Sequence, residues 1–110
     1  MIEIKHKAPA VSEYRNLRKI AGLSEKSQKA AAKGLANACF DVSIYDNQLL
    51  IGMGRVIGDG GTAFQIIDIA VNPNYQGQGY GKLIMTNIMA YISAEAEQGT
   101  YVSLIADYPA

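Results

Sequence analysis

Ile2 to Lys7 alternates apolar and polar side chains with period two and reads as a strand. Pro9 then suits the first turn of a helix, Val11, Tyr14, Leu17 and Ala21 recur at three- and four-residue intervals, and Gly22 supplies a stop. Ala30, Ala31, Leu35 and Ala38 fall on one side of the alanine-rich run from Ser27 to Ala38, which predicts a second helix in spite of Gly34. Phe40, Val42 and Ile44 alternate with Asp41, Ser43 and Tyr45, and Asp46-Asn47 provides turn chemistry before the apolar run Leu49 to Ile57, so the two segments read as a hairpin. Gly52 and Gly54 within the second strand mark a bulge or a close approach by another group. After the Asp59-Gly60-Gly61 turn, Ala63 to Val71 is nearly all apolar, as in a central strand covered on both faces. Ile84, Ile88 and Ile92 recur every fourth residue from Gly81 to about Glu97, a long helix ended before Gly99. Tyr101 to Asp107 closes as a strand with Val102, Leu104 and Ala106 on one side. The predicted order is β-α-α-β-β-β-α-β, an α/β plan, and 110 residues suffice for one domain with one core.

Composition narrows this picture. Apolar residues make up 49% and charged residues 18%, which fits a folded globular chain and excludes low-complexity architectures. No apolar run approaches the roughly 20 residues of a membrane span, and no secretory signal precedes the first strand, so a cytoplasmic protein without membrane contact is expected. Cys39 is the single cysteine and His6 the single histidine, which leaves neither a disulfide nor a metal site in prospect. Cys39 reads as small core filling and His6 as a surface or satisfied side chain.

The charges are uneven although they cancel overall. Residues 1–34 hold eight Lys/Arg against three Asp/Glu, and residues 35–110 hold two against seven. Lys19, Lys26, Lys29 and Lys33 read as the solvated sides of helices, and no nucleic-acid motif accompanies them, so no nucleic-acid partner is expected.

The chemistry gathers in Asn72-Pro73-Asn74-Tyr75-Gln76-Gly77-Gln78-Gly79-Tyr80-Gly81-Lys82, between the covered strand and the long helix. Alternate glycines let backbone approach a ligand, and a helix start aims free N–H groups at an anion. The dinucleotide pattern G-x-G-x-x-G fails because Lys82 stands at its third glycine, and the Walker pattern fails because Leu83 stands where it needs a hydroxyl. The pattern Q/R-x-x-G-x-G/A is met by Gln76, Gly79 and Gly81, preceded by Asp68-Ile69-Ala70-Val71-Asn72-Pro73. On these residues, and on the order of elements from Ile2 to Asp107, the chain resembles the GNAT superfamily of N-acetyltransferases.

The resemblance implies a mixed central sheet flanked by helices, acetyl-CoA as co-substrate and a primary amine as acceptor, a small molecule or a peptide. It implies that Gln76, Gly77, Gln78, Gly79, Tyr80, Gly81 and Lys82 hold the pyrophosphate. The pantetheine arm would lie where Ile69, Ala70 and Val71 splay from the last strand, with the Val71 N–H stabilising the oxyanion. Asp68 is a candidate for drawing a proton from the amine through a water; its plainer role is structural, bonded to nearby loop amides. Gln65 stands near where some members carry a glutamate base, but an amide cannot take a proton. The basic N-terminal third favours an acidic or amphipathic acceptor over a polycation. A non-catalytic acyl-CoA-binding or sensor domain remains the alternative. Relative to the family, the chain is expected to lack a C-terminal helix and two strands, to expose its last strand and to pair with a second copy there. The acid role that the family gives to a tyrosine on that helix is not carried onto Tyr108.

Overall fold

The computed structural model describes residues 1–105 and contains five strands: β1 (Ile2–Lys5), β2 (Phe40–Asp46), β3 (Leu49–Gly58), β4 (Ala63–Val71) and β5 (Tyr101–Leu104). Three α-helices accompany them: α1 (Val11–Ile20), α2 (Gln28–Leu35) and α3 (Tyr80–Glu95). The sheet runs β1-β2-β3-β4-β5, antiparallel except for the parallel pair β4/β5, so it is mixed, and the order of elements is the one the sequence predicts.

The helices divide between the two faces. Ile84, Ile88 and Ile92 of α3 pack on Val42, Ile44, Ile51, Val56, Phe64 and Ile66. On the other face Tyr14 and Leu17 of α1 and Ala31 and Leu35 of α2 cover Leu50, Met53 and Ala70. Each apolar stripe read from the sequence thus finds a sheet face.

The helix ends have local causes. The Ala10 N–H donates to the Glu13 carboxylate at the start of α1, and Gly22, at φ +82°, follows its C-cap residue Ala21. The Ser27 hydroxyl accepts the Ala30 N–H at 3.1 Å and opens α2. This helix is shorter than predicted, ending at Leu35 rather than Ala38. The Gly34 carbonyl accepts from Arg55 Nη2 at 2.9 Å, which ties the end of α2 to β3. A Cβ at Gly34 would meet the Arg55 guanidinium at 3.7 Å, an ordinary contact.

Two register shifts bend the sheet. In β3 the residue Ile51 is extra opposite Ile44 and Tyr45, beside Gly52 as the sequence suggested. A second shift lies in β4, where Asp68 and Ile69 together oppose Gly54. It lies opposite Gly54, the second glycine that marked a bulge or a close approach in the sequence. Ile66 packs on the α3 face, Asp68 points to the α1/α2 face, Ile69 packs with the α3 cluster and Ala70 faces α1/α2 again. Asp68 has φ +59°, a left-handed conformation uncommon for a side-chain-bearing residue.

β4 also departs from the expected strand buried on both faces: Phe64, Ile66 and Ala70 are buried, but the remaining positions are partly open. The helices α1 and α2 do not close over this part of the sheet, and a groove is left. β5 is an edge strand in the described residues, with Tyr101, Val102 and Leu104 exposed. The part of the predicted last strand beyond residue 105, and Tyr108, lie outside the described residues.

Candidate active site

The hydrogen-bond pattern of β4 determines which main-chain groups are available. The Asn72 N–H donates to Ile51 O at 2.7 Å, while Val71 sits opposite Gly52 and Ala70 opposite Met53. Antiparallel ladders alternate inward and outward pairs, so the main-chain N–H of Val71 points away from β3. On that side β5 pairs with β4 only from Ala63 to Ile66, continued by the Ile105 N–H donating to Ile66 O. From Ile67 to Val71 the edge of β4 has no strand partner among the described residues. The Val71 carbonyl accepts from Gln76 Nε2 at 3.1 Å, which ties the first residue of the glycine motif to the strand.

The loop follows directly. Asn72 Oδ1 accepts the Asn74 N–H, Pro73–Tyr75 forms one turn of 3-10 helix, and Tyr75 donates its hydroxyl to Asp46. Gly77 at φ +78° and Gly79 at φ +89° hold a conformation that an L side chain enters only at a cost of about 1–2 kcal/mol. A Cβ on Gly77, Gly79 or Gly81 would meet no atom within 4 Å, so this side of the loop is open space. Gly79 is the N-cap of α3 and offers no capping side chain, which leaves the first-turn amides available to an outside acceptor. A cavity of about 310 Å³ is lined by Ile69, Ala70, Val71, Gln76, Gly77 and the start of α3. Gly79, Tyr80 and Gly81 complete it, so the residues predicted from sequence converge on one place; Gln78 and Lys82 do not line it. The arrangement fits an extended anionic group, with N–H donors in place and no side chain filling the cradle.

Asp68 stands on the other side of the sheet, within a buried polar cluster. Tyr14 donates its hydroxyl to Asp68 Oδ2 at 2.8 Å, Arg55 Nη1 donates to the same oxygen at 2.8 Å, and Arg18 Nη1 donates to Oδ1. The side chains of Arg18 and Asp68 are 3% and 7% exposed. The structural reading of Asp68 therefore needs correcting in its partners, which are side chains from α1 and β3 rather than loop amides. Both carboxylate oxygens are turned into this cluster and away from the loop. Burial, followed by the hydrogen bond to Asp68, pushes the Tyr14 phenol above its ordinary pKa. Burial also raises the Asp41 carboxyl, against the pull of nearby Arg55.

Sequence inspection missed Tyr14, Arg18 and Arg55. Tyr14 read only as part of an apolar stripe, and Arg18, four residues before the Gly22 stop, carried no signal to set it apart from the other N-terminal cations. An isolated arginine in the apolar run Leu49 to Ile57 was the available signal for Arg55. The remaining candidates are accounted for simply: Cys39 packs at the edge of the core with its thiol donating to Gly58 O, and His6 shares a hydrogen bond with Asn87 Oδ1 at 2.8 Å. Lys19, Lys26, Lys29 and Lys33 are exposed as expected.

A second, larger cavity of about 880 Å³ opens on this face. Its walls include Arg18 and Leu23 near the end of α1, Lys26 and Ala30, Ile67 and Asp68 of β4, and Leu104 of β5. Ile69 lines both cavities, so the two lie beside each other at the β4 bulge. No group of three or more side chains able to hold a metal ion occurs among the described residues, and no described helix is long and apolar enough to cross a membrane.

Comparison with known proteins follows the same lines. Residues 10–108 match the model of the Acetyltransferase (GNAT) family. A crystal structure of a protein of unknown function from meticillin-resistant Staphylococcus aureus, titled "Probable Acetyltransferase", is 57% identical. It superposes with a TM-score of 0.94 over 99% of this chain and 82% of its own. A GNAT family acetyltransferase from Streptococcus pneumoniae is 25% identical, with a TM-score of 0.78 over 98% of this chain and 77% of its own. An uncharacterised N-acetyltransferase of Prochlorococcus marinus is 31% identical over 81 residues, 70% of this chain and 45% of that protein. The chain thus spans less than half the length of this curated relative.

Proposed function

Because the chain belongs to the Acetyltransferase (GNAT) family, we propose that it transfers an acetyl group from acetyl-CoA to a primary amine held with it in a ternary complex. The observation that carries this reading is the meeting of a partnerless β4 edge, an uncapped helix start and an open glycine loop in one cavity. When bound, acetyl-CoA supplies an activated thioester; the rest is the work of this chain.

Loop amides at Gly77 and first-turn amides from Tyr80 to Lys82 bind the pyrophosphate, with the α3 dipole adding attraction. Outward main-chain groups of the β4 edge between Ile67 and Val71, which no described strand covers, pair with the amides of the pantetheine arm, as a strand would. The outward N–H of Val71 polarises the carbonyl under attack, and one such donor contributes about 3–4 kcal/mol in acyl transfer. Gln76 fixes the adjacent carbonyl and so holds this peptide in orientation. Asp68 is a positioning residue: its ties to Tyr14, Arg18 and Arg55 hold the bulge that both cavities border.

The amine enters by the larger cavity and attacks as the free base; as the C–N bond forms, the C–S bond would break, and the proton lost by the nitrogen would balance the departing thiolate, giving the amide and free CoA thiol. A primary amine has a pKa of about 10 in water, and cations in the wall, Arg18, Lys26 and Arg55, disfavour its protonated form. The existence of this second cavity favours transfer over an acyl-CoA sensor without turnover. Calorimetry with CoA tests the first half of the reading, and release of free thiol against a panel of amines, corrected for hydrolysis, tests the second. CoA binding without amine-dependent thiol release would leave only the sensor.

A further inference from the structure

The larger cavity has a chemical character of its own. Ala21, Leu23, Ala30, Ile57, Ile67 and Ile69 give it a mostly apolar wall. Its ionic groups are three cations, Arg18, Lys26 and Arg55, against one carboxylate, Asp68, which both arginines already engage. Lys26 is different from the arginines because it is exposed, and none of the ion pairs of the described residues involves it. It stands in the connection between α1 and α2, next to helices that add Arg15, Lys19, Lys29 and Lys33. The carboxylates of this region are Glu25, beside Lys26, and Glu13, whose oxygen is taken by the Ala10 N–H and the Tyr45 hydroxyl. The cavity mouth therefore sits in a field of positive sign, which attracts anions and repels polycations.

We propose that the acceptor is an amphipathic amine: an apolar body against the alanine- and isoleucine-lined wall, an anionic group, carboxylate or phosphate, at Lys26, and the amine directed toward the bulge at Asp68-Ile69. The inference rests on the acetyltransfer reading for its use of the amine, while the charge preference rests on the cavity alone. Specificity arises on both sides of zero. An anionic acceptor gains the field, and an amine with a second positive charge meets repulsion in a cavity whose one lining carboxylate, Asp68, is already engaged.

The test uses pairs of amines that differ only in the anion. The carboxylate arm compares 5-aminopentanoate with 1-aminopentane, the phosphate arm compares 3-aminopropyl phosphate with propylamine, and spermidine serves as the polycation. At low salt, kcat/KM for the anionic member of at least one pair is expected to exceed its neutral partner by about tenfold, the order of one partly screened charge contact. High salt should shrink the ratio. Lys26→Glu should collapse it, whereas Lys5→Glu, the same charge change on the exposed β1 strand, should preserve it. The arm with the larger ratio identifies the anion. Equal rates within both pairs, a preference for spermidine, or equal effects of the two variants would overturn the proposal. Should no amine release thiol, the acetyltransfer reading fails separately. Calorimetric titration of the same pairs into CoA-saturated protein then decides the charge preference, tighter binding of the anionic members supporting it and equal binding ending it.

Discussion

The Cδ1 atom of Ile69 lies 2.8 Å from the point where Gly54 would carry a Cβ, so a bulge residue of β4 rests on the bare backbone of β3. Ile84 Cγ2 at 2.6 Å and Ile88 Cδ1 at 2.9 Å crowd the same point from α3. The gap left by one missing side chain lets helix, bulge and strand close on each other.

Gly54→Ala is therefore expected to overpack the core at all three contacts and lower stability by about 1–3 kcal/mol. Urea unfolding with an unchanged slope would measure it. A neutral or stabilising outcome would mean that the bulge and α3 yield more easily than their packing indicates.

Gly81 permits a separation of binding from folding. It has no positive φ, a Cβ there meets nothing within 4 Å, and a carboxylate in the first turn suits the helix dipole. Gly81→Glu should leave the melting temperature unchanged or slightly raised while reducing CoA affinity at least tenfold, because its charge opposes the pyrophosphate. Gly79→Glu should lose affinity too, with an added stability cost of about 1–2 kcal/mol from its left-handed backbone. Unaltered CoA titrations for both folded variants would remove the cofactor from this loop.

Asp68→Asn takes the shared carboxylate from two buried guanidinium groups, leaving Arg55 only Asp41 at 3.9 Å, and should destabilise the fold by about 3–5 kcal/mol. Tyr14→Phe removes one donor from an oxygen that still accepts from Arg55, so about 1 kcal/mol is expected. Chemical denaturation of the two variants tests the order. The reverse ranking would show that the phenol, not the ion pairs, holds the bulge.

Acid should loosen the turn between β3 and β4 through Asp59. Its carboxylate accepts from the Thr62 hydroxyl and from the N–H groups of Gly61, Ala63 and Thr62, which together hold its pKa well below the ordinary carboxylate range. A depressed folded pKa contributes stability that is complete above the unfolded value near 4 and is lost as pH falls toward the folded one. Asp59→Asn should accordingly flatten the acid side of the stability profile below about pH 4, with little change in slope above it. Parallel acid limbs for the two proteins would contradict this account.

The sequence by itself determined the succession of elements, because period-two and period-four apolar spacing survives in any tertiary arrangement. It also determined the loop: Gln76, Gly79 and Gly81 line one cavity because their arrangement follows from local backbone chemistry, in which spacing along the chain and placement in space coincide. Tertiary structure alone decided the rest. The bulge at Asp68-Ile69 exists because β4 must satisfy β3, α1 and α3 together, and no pattern within its nine residues encodes that compromise. The burial of Arg18 and Arg55 was equally invisible, since a cation enters a core only where a carboxylate from elsewhere compensates its lost hydration, and Asp68 lies 50 residues from one and 13 from the other. The large cavity belongs to the same class: its walls come from α1, α2, β3, β4, α3 and β5, and its positive field from charges that the linear chain balances to zero. Spacing carries short-range geometry, whereas a charge acquires its environment only when the chain closes around it.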